Sequence, residues 1–126
     1  IATDAPLLPH QCQRLAQRAS IGIARTGGGT EDSSGDLFLA FATGNQDLPP
    51  ADYGRKDLPL STGLQMVNND HISPLFSAAA EAVEEAIINA ILAGEDMTTQ
   101  DGVKVPGLAG ETLLAALKQC GWSVSR

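Results

Sequence analysis

An unbroken apolar run, Leu37-Phe38-Leu39-Ala40-Phe41-Ala42, stops at Thr43-Gly44-Asn45. It has no polar alternation, so it is expected to be a strand buried on both faces. Ile1-Ala2 reads as the tail of another strand. Pro6 and Pro9, with Leu7 and Leu8 between them, end it and set up a helix. That helix is expected over about Pro9 to Arg25. Cys12, Leu15, Ala16, Ala19 and Ile23 recur at helical spacing, while Gln11, Arg14, Gln17 and Arg18 face away. Gly27 to Gly29 stop it.

A second helix starts at Ser73 as N-cap and Pro74 as first helical residue, and Gly94 closes it. Its apolar stripe is Leu75, Ala79, Val83, Ala86, Ala90 and Ile91, supported by Phe76 and Ile87. Glu81, Glu84, Glu85 and Asn89 form the wet face. The small alanines predict close packing on a sheet or neighbouring helix. A third, short helix spans about Glu111 to Gln119, with Leu113, Leu114 and Leu117 inward and Gly121 as its stop. Trp122 and Val124 suit a last strand or a docking tail.

Two irregular stretches remain. Gln46 to Ile72 carries Pro49, Pro50, Gly54, Pro59 and Gly63, and is long for a compact domain without a job or a partner. Asp96 to Gly110 holds Val103-Lys104-Val105, a candidate short edge strand. No repeat and no domain boundary is visible. Two strands do not make a stable sheet alone, so the long apolar helices call for a sheet completed from elsewhere. The expected class is a layered α/β structure, with residues 1–126 as one portion of it. The chain opens Ile1-Ala2-Thr3-Asp4 without Met or a signal pattern, as a proteolytic product or a piece of a longer polypeptide would.

Composition narrows the function. An apolar fraction of 43% builds a core, and an aromatic fraction of 4% makes that core aliphatic. A formal net charge of -7 argues against nucleic acid or an anionic membrane as partner. Cys12 and Cys120 both fall on expected helices and make neither a disulfide framework nor a metal set. Glu81, Glu84 and Glu85 read as a solvated face rather than a metal cluster. His10 and His71 read as packing, capping or loop residues. Gly27-Gly28-Gly29 leads to a strand, not to a helix N-terminus, so it lacks the geometry of a phosphate cradle. No cofactor or metal is called for.

The candidate chemistry is Ser34-Gly35-Asp36, at the mouth of the apolar strand and after the polar loop from Thr26 to Ser33. A rigid strand that presents a hydroxyl and a carboxylate at its entrance is a good platform for a positioned catalytic pair. A simple turn is the plain alternative. Thr3 and Asp4 read as caps of the turn into the first helix.

One family shares these segments in order. They are Ala2-Thr3-Asp4-Ala5-Pro6-Leu7-Leu8-Pro9-His10-Gln11, Arg25-Thr26-Gly27, Ser34-Gly35-Asp36 with its strand and Thr43-Gly44-Asn45, Ile72-Ser73-Pro74-Leu75-Phe76, and Glu85 to Ala90. Together they closely resemble the small (β) subunit of the D-aminopeptidase / β-peptidyl aminopeptidase family, self-processing serine hydrolases of the N-terminal-nucleophile type. The resemblance covers nearly the whole chain.

It implies a precursor that cuts itself into a large (α) and a small subunit, freeing a nucleophilic serine at the small subunit's N-terminus. It implies a four-layer α-β-β-α sandwich shared by both subunits, and an oligomer of such pairs, commonly a tetramer. The implied reaction releases N-terminal D-, L- or β-amino acids from short peptides, amides or esters. The supporting roles beside the nucleophile fall on Ser34 and Asp36. Some relatives carry Glu at the second position, so the shorter Asp36 has to lie about a methylene closer. The nucleophile itself belongs a few residues ahead of the segment that matches Ile1. Oxyanion donors and much of the pocket belong to the large subunit. A different class is the alternative: a binding or assembly subunit that keeps the fold without the nucleophile. A soluble protein is expected, and cytoplasm and periplasm both stay open, because any export signal would stand at the precursor's start.

Overall fold

The computed structural model describes residues 1–49 and 54–123. They group into two compact units, Ile1–Glu84 and Glu85–Arg126.

In the first unit, β1 (Ala2–Thr3) leads to α1 (Pro9–Ala16), α2 (Ala19–Arg25) and β2 (Phe41–Ala42), and then to a 3-10 turn (Asn69–His71) and the start of α3 (Ser73–Ala93). The expected strand tail at Ile1-Ala2 is present: β1 pairs in parallel with β2, Ala2 opposite Phe41 and Thr3 opposite Ala42. Leu7, Leu15, Ile72 and Ala79 form the buried centre, with Ile1, Ala5, Cys12, Ala40, Ala42, Val67, Leu75 and Phe76 packed around it. This core is aliphatic, as the composition requires.

The expected single helix from Pro9 to Arg25 is two. At Gln17 and Arg18 the turn tightens: Arg18 N donates to Leu15 O at 3.0 Å and Ile21 N to Arg18 O at 3.1 Å, both three residues back. Ser20 Oγ takes the Gln17 carbonyl at 2.7 Å. The apolar side is as expected, with Leu15 and Ala19 buried. The polar side is not. Gln11 does not face away; it is fully buried. Its Nε2 donates to Val67 O at 2.7 Å and Asn69 Oδ1 at 3.1 Å, and its Oε1 accepts from Leu8 N at 3.2 Å. A buried amide is tolerated when it is satisfied in this way, and the last bond is half of a capping box. Arg14 and Arg18 are half-buried because their guanidinium groups lie over the Phe76 ring, 5.1 Å and 4.3 Å from its centroid.

The run from Leu37 to Ala42 is not buried on both faces, and only Phe41–Ala42 is laddered. Ala40 and Ala42 turn toward the helices and pack on the core. Leu37, Leu39 and Phe41, on the opposite face, are 95%, 75% and 53% exposed. Side chains alternate across a strand, and helices cover only one face of this one.

α3 begins at Ser73 itself, since the Ile72 carbonyl accepts from Leu75 and Phe76; the expected cap thus sits one residue inside. Ala79 and Ala80 are buried, and the close approach that alanines predicted is real. A Cβ added to Gly22 of α2 would lie 2.7 Å from Ala80 O and from Val83 Cβ.

In the second unit the rest of α3 ends at Ala93, before Gly94 as expected. The stripe positions Ala86, Ala90 and Ile91 are exposed here, while Ile87 is half-buried. β3 (Met97–Thr98) and β4 (Lys104–Val105) make an antiparallel pair, so the candidate edge strand is real. Thr99 N donates to Val103 O at 2.9 Å and Gly102, at φ 85°, turns the chain between them. α4 (Gly110–Gln119) leaves Leu113 and Leu117 half-buried but Leu114 exposed, and Cys120 lies just past it. Gly121, at φ 81°, ends it. Trp122 is exposed; Val124 lies outside the described residues. No described helix is long and apolar enough to cross a membrane.

Candidate active site

α2 ends in a hydrogen-bonded exit that aims the following loop. Gly28 N donates to Ile23 O and Gly27 N to Ala24 O, each at 3.1 Å, with Gly27 at φ 90°. This is a Schellman motif, and it requires the left-handed conformation that glycine adopts freely. The loop then turns at Ser34, whose N donates to Glu31 O at 3.0 Å. Ser34 Oγ donates to Asp36 Oδ2 at 2.7 Å, and both residues are exposed.

That bond determines what Ser34 can do. A hydroxyl has one proton and two lone pairs. Its proton is directed at a carboxylate, a charge-assisted bond of the stronger kind. What Ser34 Oγ offers to a neighbour is therefore an acceptor, made more basic by the carboxylate behind it. The shorter aspartate reaches the hydroxyl directly.

β1 runs beside this corner in the same direction. Ile1 N donates to Leu39 O at 2.7 Å, Phe41 N to Ile1 O at 3.0 Å and Thr43 N to Thr3 O at 2.9 Å. Because the pairing is parallel, the start of β1 lies toward the Ser34–Asp36 end of β2. At the other end, a Cβ on Gly44 would land on the Asp4–Pro6 backbone. There Asn45 clasps Gln65, its Oδ1 accepting from Gln65 N at 2.8 Å and its Nδ2 donating to Gln65 O at 3.0 Å.

Asp36 and Phe38 line a cleft of about 190 Å³ together with Ile23, Ala24, Gly28 and Gly29. The sequence reading singled out Asp36 but missed this cleft. The signal available was the spacing of two, which puts Asp36 and Phe38 on one face.

The remaining candidates have plainer places. Thr3 Oγ1 accepts from Ala5 N at 3.1 Å and so caps the turn, as expected. His10, on the first turn of α1, and His71, in the 3-10 turn, are both exposed. Glu81 and Glu85 are exposed, while Glu84 pairs with Arg25 Nη1 at 3.1 Å. Cys12 and Cys120 are free thiols. Among the described residues no three His, Cys, Asp or Glu side chains gather as metal ligands.

Known proteins are similar to this chain in sequence and in fold. A β-aminopeptidase from Burkholderia sp. is 65% identical and superposes with a TM-score of 0.87, over 97% of this chain and 35% of its own. The Ochrobactrum anthropi L-aminopeptidase D-Ala-esterase/amidase, described as a prototype serine aminopeptidase with a variant of the Ntn hydrolase fold, is 42% identical with a TM-score of 0.79, over 94% of this chain and 32% of its own. The β-peptidyl aminopeptidase BapA of Sphingosinicella microcystinivorans is 39% identical over 119 residues, 94% of this chain. The chain spans only 28% of the length of that relative. The architecture is thus an α/β fold of the kind found in Ntn-hydrolase aminopeptidases. The profile of peptidase family S58 matches residues 1–105, and the chain belongs to that family.

Proposed function

We propose that this chain is the small subunit of a self-cleaving serine aminopeptidase or amidase. The enzyme releases N-terminal amino acids from short peptides, amides or esters. Residues 1–126 supply one portion of an α-β-β-α sandwich that a large subunit from the same precursor completes, in an oligomer of such pairs. The nucleophilic serine stands just ahead of Ile1.

The observation that carries this reading is the Ser34–Asp36 bond at the head of β2, with β1 parallel beside it. By the register of Ala2 opposite Phe41, Ile1 falls opposite Ala40. If β1 continues backward in that register, positions four and six places ahead of Ile1 fall opposite Asp36 and Ser34. A serine near these positions would meet Ser34 Oγ, whose lone pairs are free to accept.

The chemistry then needs no histidine. A free α-amine titrates near pH 7.7–8.0 in model compounds, roughly the working range. The amine of an N-terminal serine serves as base for its own hydroxyl. Ser34 Oγ accepts from the amine or hydroxyl and orients it, and Asp36 holds Ser34 as the third member of a triad does.

Two further features support the larger assembly. Leu37, Leu39 and Phe41 make a bare apolar face opposite the helices, the surface on which a second sheet would pack. The relatives are also about three times longer than this chain, which spans 28% and 35% of two of them.

The test is the protein expressed from its complete reading frame. N-terminal sequencing and intact mass should find a small chain that begins with serine about five residues ahead of Ile1, co-migrating with a larger chain. The pair should release p-nitroaniline from aminoacyl p-nitroanilides. A side chain without hydroxyl or thiol at the new terminus would leave the assembly-subunit reading in its place.

A further inference from the structure

We infer that the cleft between α2 and the head of β2 receives the side chain of the substrate's N-terminal residue, and that Phe38 and Ile23 set the size it accepts. This rests on the reading just given, because it takes Ser34 and Asp36 as the neighbours of the reacting atoms.

Three observations carry it. The first is place. Asp36 lines the cleft, and the same carboxylate holds Ser34 Oγ at 2.7 Å. The cleft therefore opens within one side chain of the catalytic corner. A group held there would be anchored beside the bond to be cut, which is how positioning lowers a barrier.

The second is lining. Ile23, Ala24 and Phe38 wall the cleft beside the hydroxyl residues Ser20 and Thr30, and Gly28 and Gly29 form part of it without side chains. A Cβ at Gly28 would lie 3.0 Å from Ile23 Cγ2, so the space there depends on glycine. Mainly apolar walls, with two hydroxyl residues and a single ionised group, favour an uncharged and mainly apolar guest. Asp36 would repel an acidic one.

The third is size. The cleft measures about 190 Å³. A dry apolar cavity of about 150 Å³ holds a benzene molecule. The cleft thus has room for a side chain of about a phenyl ring and accommodates an indole less well.

Phe38 and Ala24 allow the cleft to be changed in opposite directions. Phe38→Ala enlarges it. Ala24→Leu fills it from an exposed position of α2, where the fold tolerates a larger side chain. The test uses the complete two-chain protein and p-nitroanilides of glycine, alanine, leucine, phenylalanine, tryptophan and glutamate. The readout is the ratio of kcat/KM between large and small side chains. Pocket contacts of this kind discriminate by about tenfold or more. Phe38→Ala should raise the tryptophan-to-alanine ratio by about that factor. Ala24→Leu should lower the leucine-to-alanine ratio by about as much.

If both variants scale every substrate equally, the cleft is not the subsite, while hydrolysis by the wild type keeps the catalytic reading intact. If Phe38→Ala fails to fold, Ala24→Leu decides alone: an unchanged leucine-to-alanine ratio overturns the proposal. Absence of hydrolysis by the wild type on this panel and on its D- and β-amino acid counterparts overturns the catalytic reading and this inference with it.

Discussion

Ser34 Oγ donates to Asp36 Oδ2 across a single intervening glycine, at 2.7 Å. The bond directs the hydroxyl's one proton to the carboxylate and leaves its lone pairs for a neighbour. If that neighbour is the nucleophile or its amine, removing either partner removes a proton-handling step. Such steps are worth about 10²- to 10⁴-fold. Ser34→Ala and Asp36→Ala should each lower kcat for amide hydrolysis by at least about 10²-fold with the oligomer unchanged by size-exclusion chromatography. Asp36→Glu should retain more activity than Asp36→Asn, because the charge carries the role. Near-normal turnover in both alanine variants would take the pair out of the mechanism.

Gln11 is buried at little cost because both its amide hydrogens and its carbonyl oxygen are hydrogen-bonded. Gln11→Ala strands Leu8 N–H and Val67 C=O, both half-buried, and leaves a hole beside Leu15. Each unpaired group costs about 1–3 kcal/mol, less where water can reach it. Gln11→Ala should therefore cost about 2 kcal/mol or more in urea unfolding. A cost below about 0.5 kcal/mol would mean that water replaces the amide.

How much of this was legible depends on what each feature needs. Signals local in the chain were readable. Glycines at 27, 94 and 121 end their helices, Pro9 opens the first, and Lys104–Val105 is a strand. The Ser34–Asp36 pairing was readable too, because a two-residue spacing brings them together whatever surrounds them. Features that depend on distant partners were not. Gln11 reads as surface until Val67, 56 residues on, supplies its acceptor. The apolar strand reads as buried on both faces, yet burial requires a cover that helices on one side do not give. The tightening at Gln17 and Arg18 leaves no mark in composition. The cleft beside Asp36 exists only once α2 and the strand meet.

Gly22 and Gly27 separate two reasons for glycine. Gly22 sits inside α2, where alanine would gain about 1 kcal/mol of helix propensity. Its added methyl would meet Ala80 O and Val83 Cβ at 2.7 Å, one of them backbone and unable to step aside. Overpacking costs about 1–3 kcal/mol, so Gly22→Ala should be net destabilising, with unfolding moved to lower urea. Gly27 has open space around it but φ at 90°. Gly27→Ala should cost about 1–2 kcal/mol through the left-handed backbone alone. Gly22→Ala that stabilises would mean that α2 and α3 lie farther apart.

Asp101, in the turn between β3 and β4, accepts a hydrogen bond from Thr99 Oγ1. That bond first, and one from its own backbone amide second, hold the carboxyl below its ordinary range, against a smaller opposing effect of desolvation. A lowered folded value means the ionised form is favoured by folding. The contribution is fully present above the unfolded value and fades as pH falls through the folded one. Full exposure keeps it small and sensitive to salt. Carboxyl-carbon chemical shifts followed against pH should show Asp101 titrating at lower pH than a free aspartate. Thr99→Val should move the midpoint upward, toward the ordinary value. A midpoint that stays put in Thr99→Val would mean that the hydroxyl is not what holds it down.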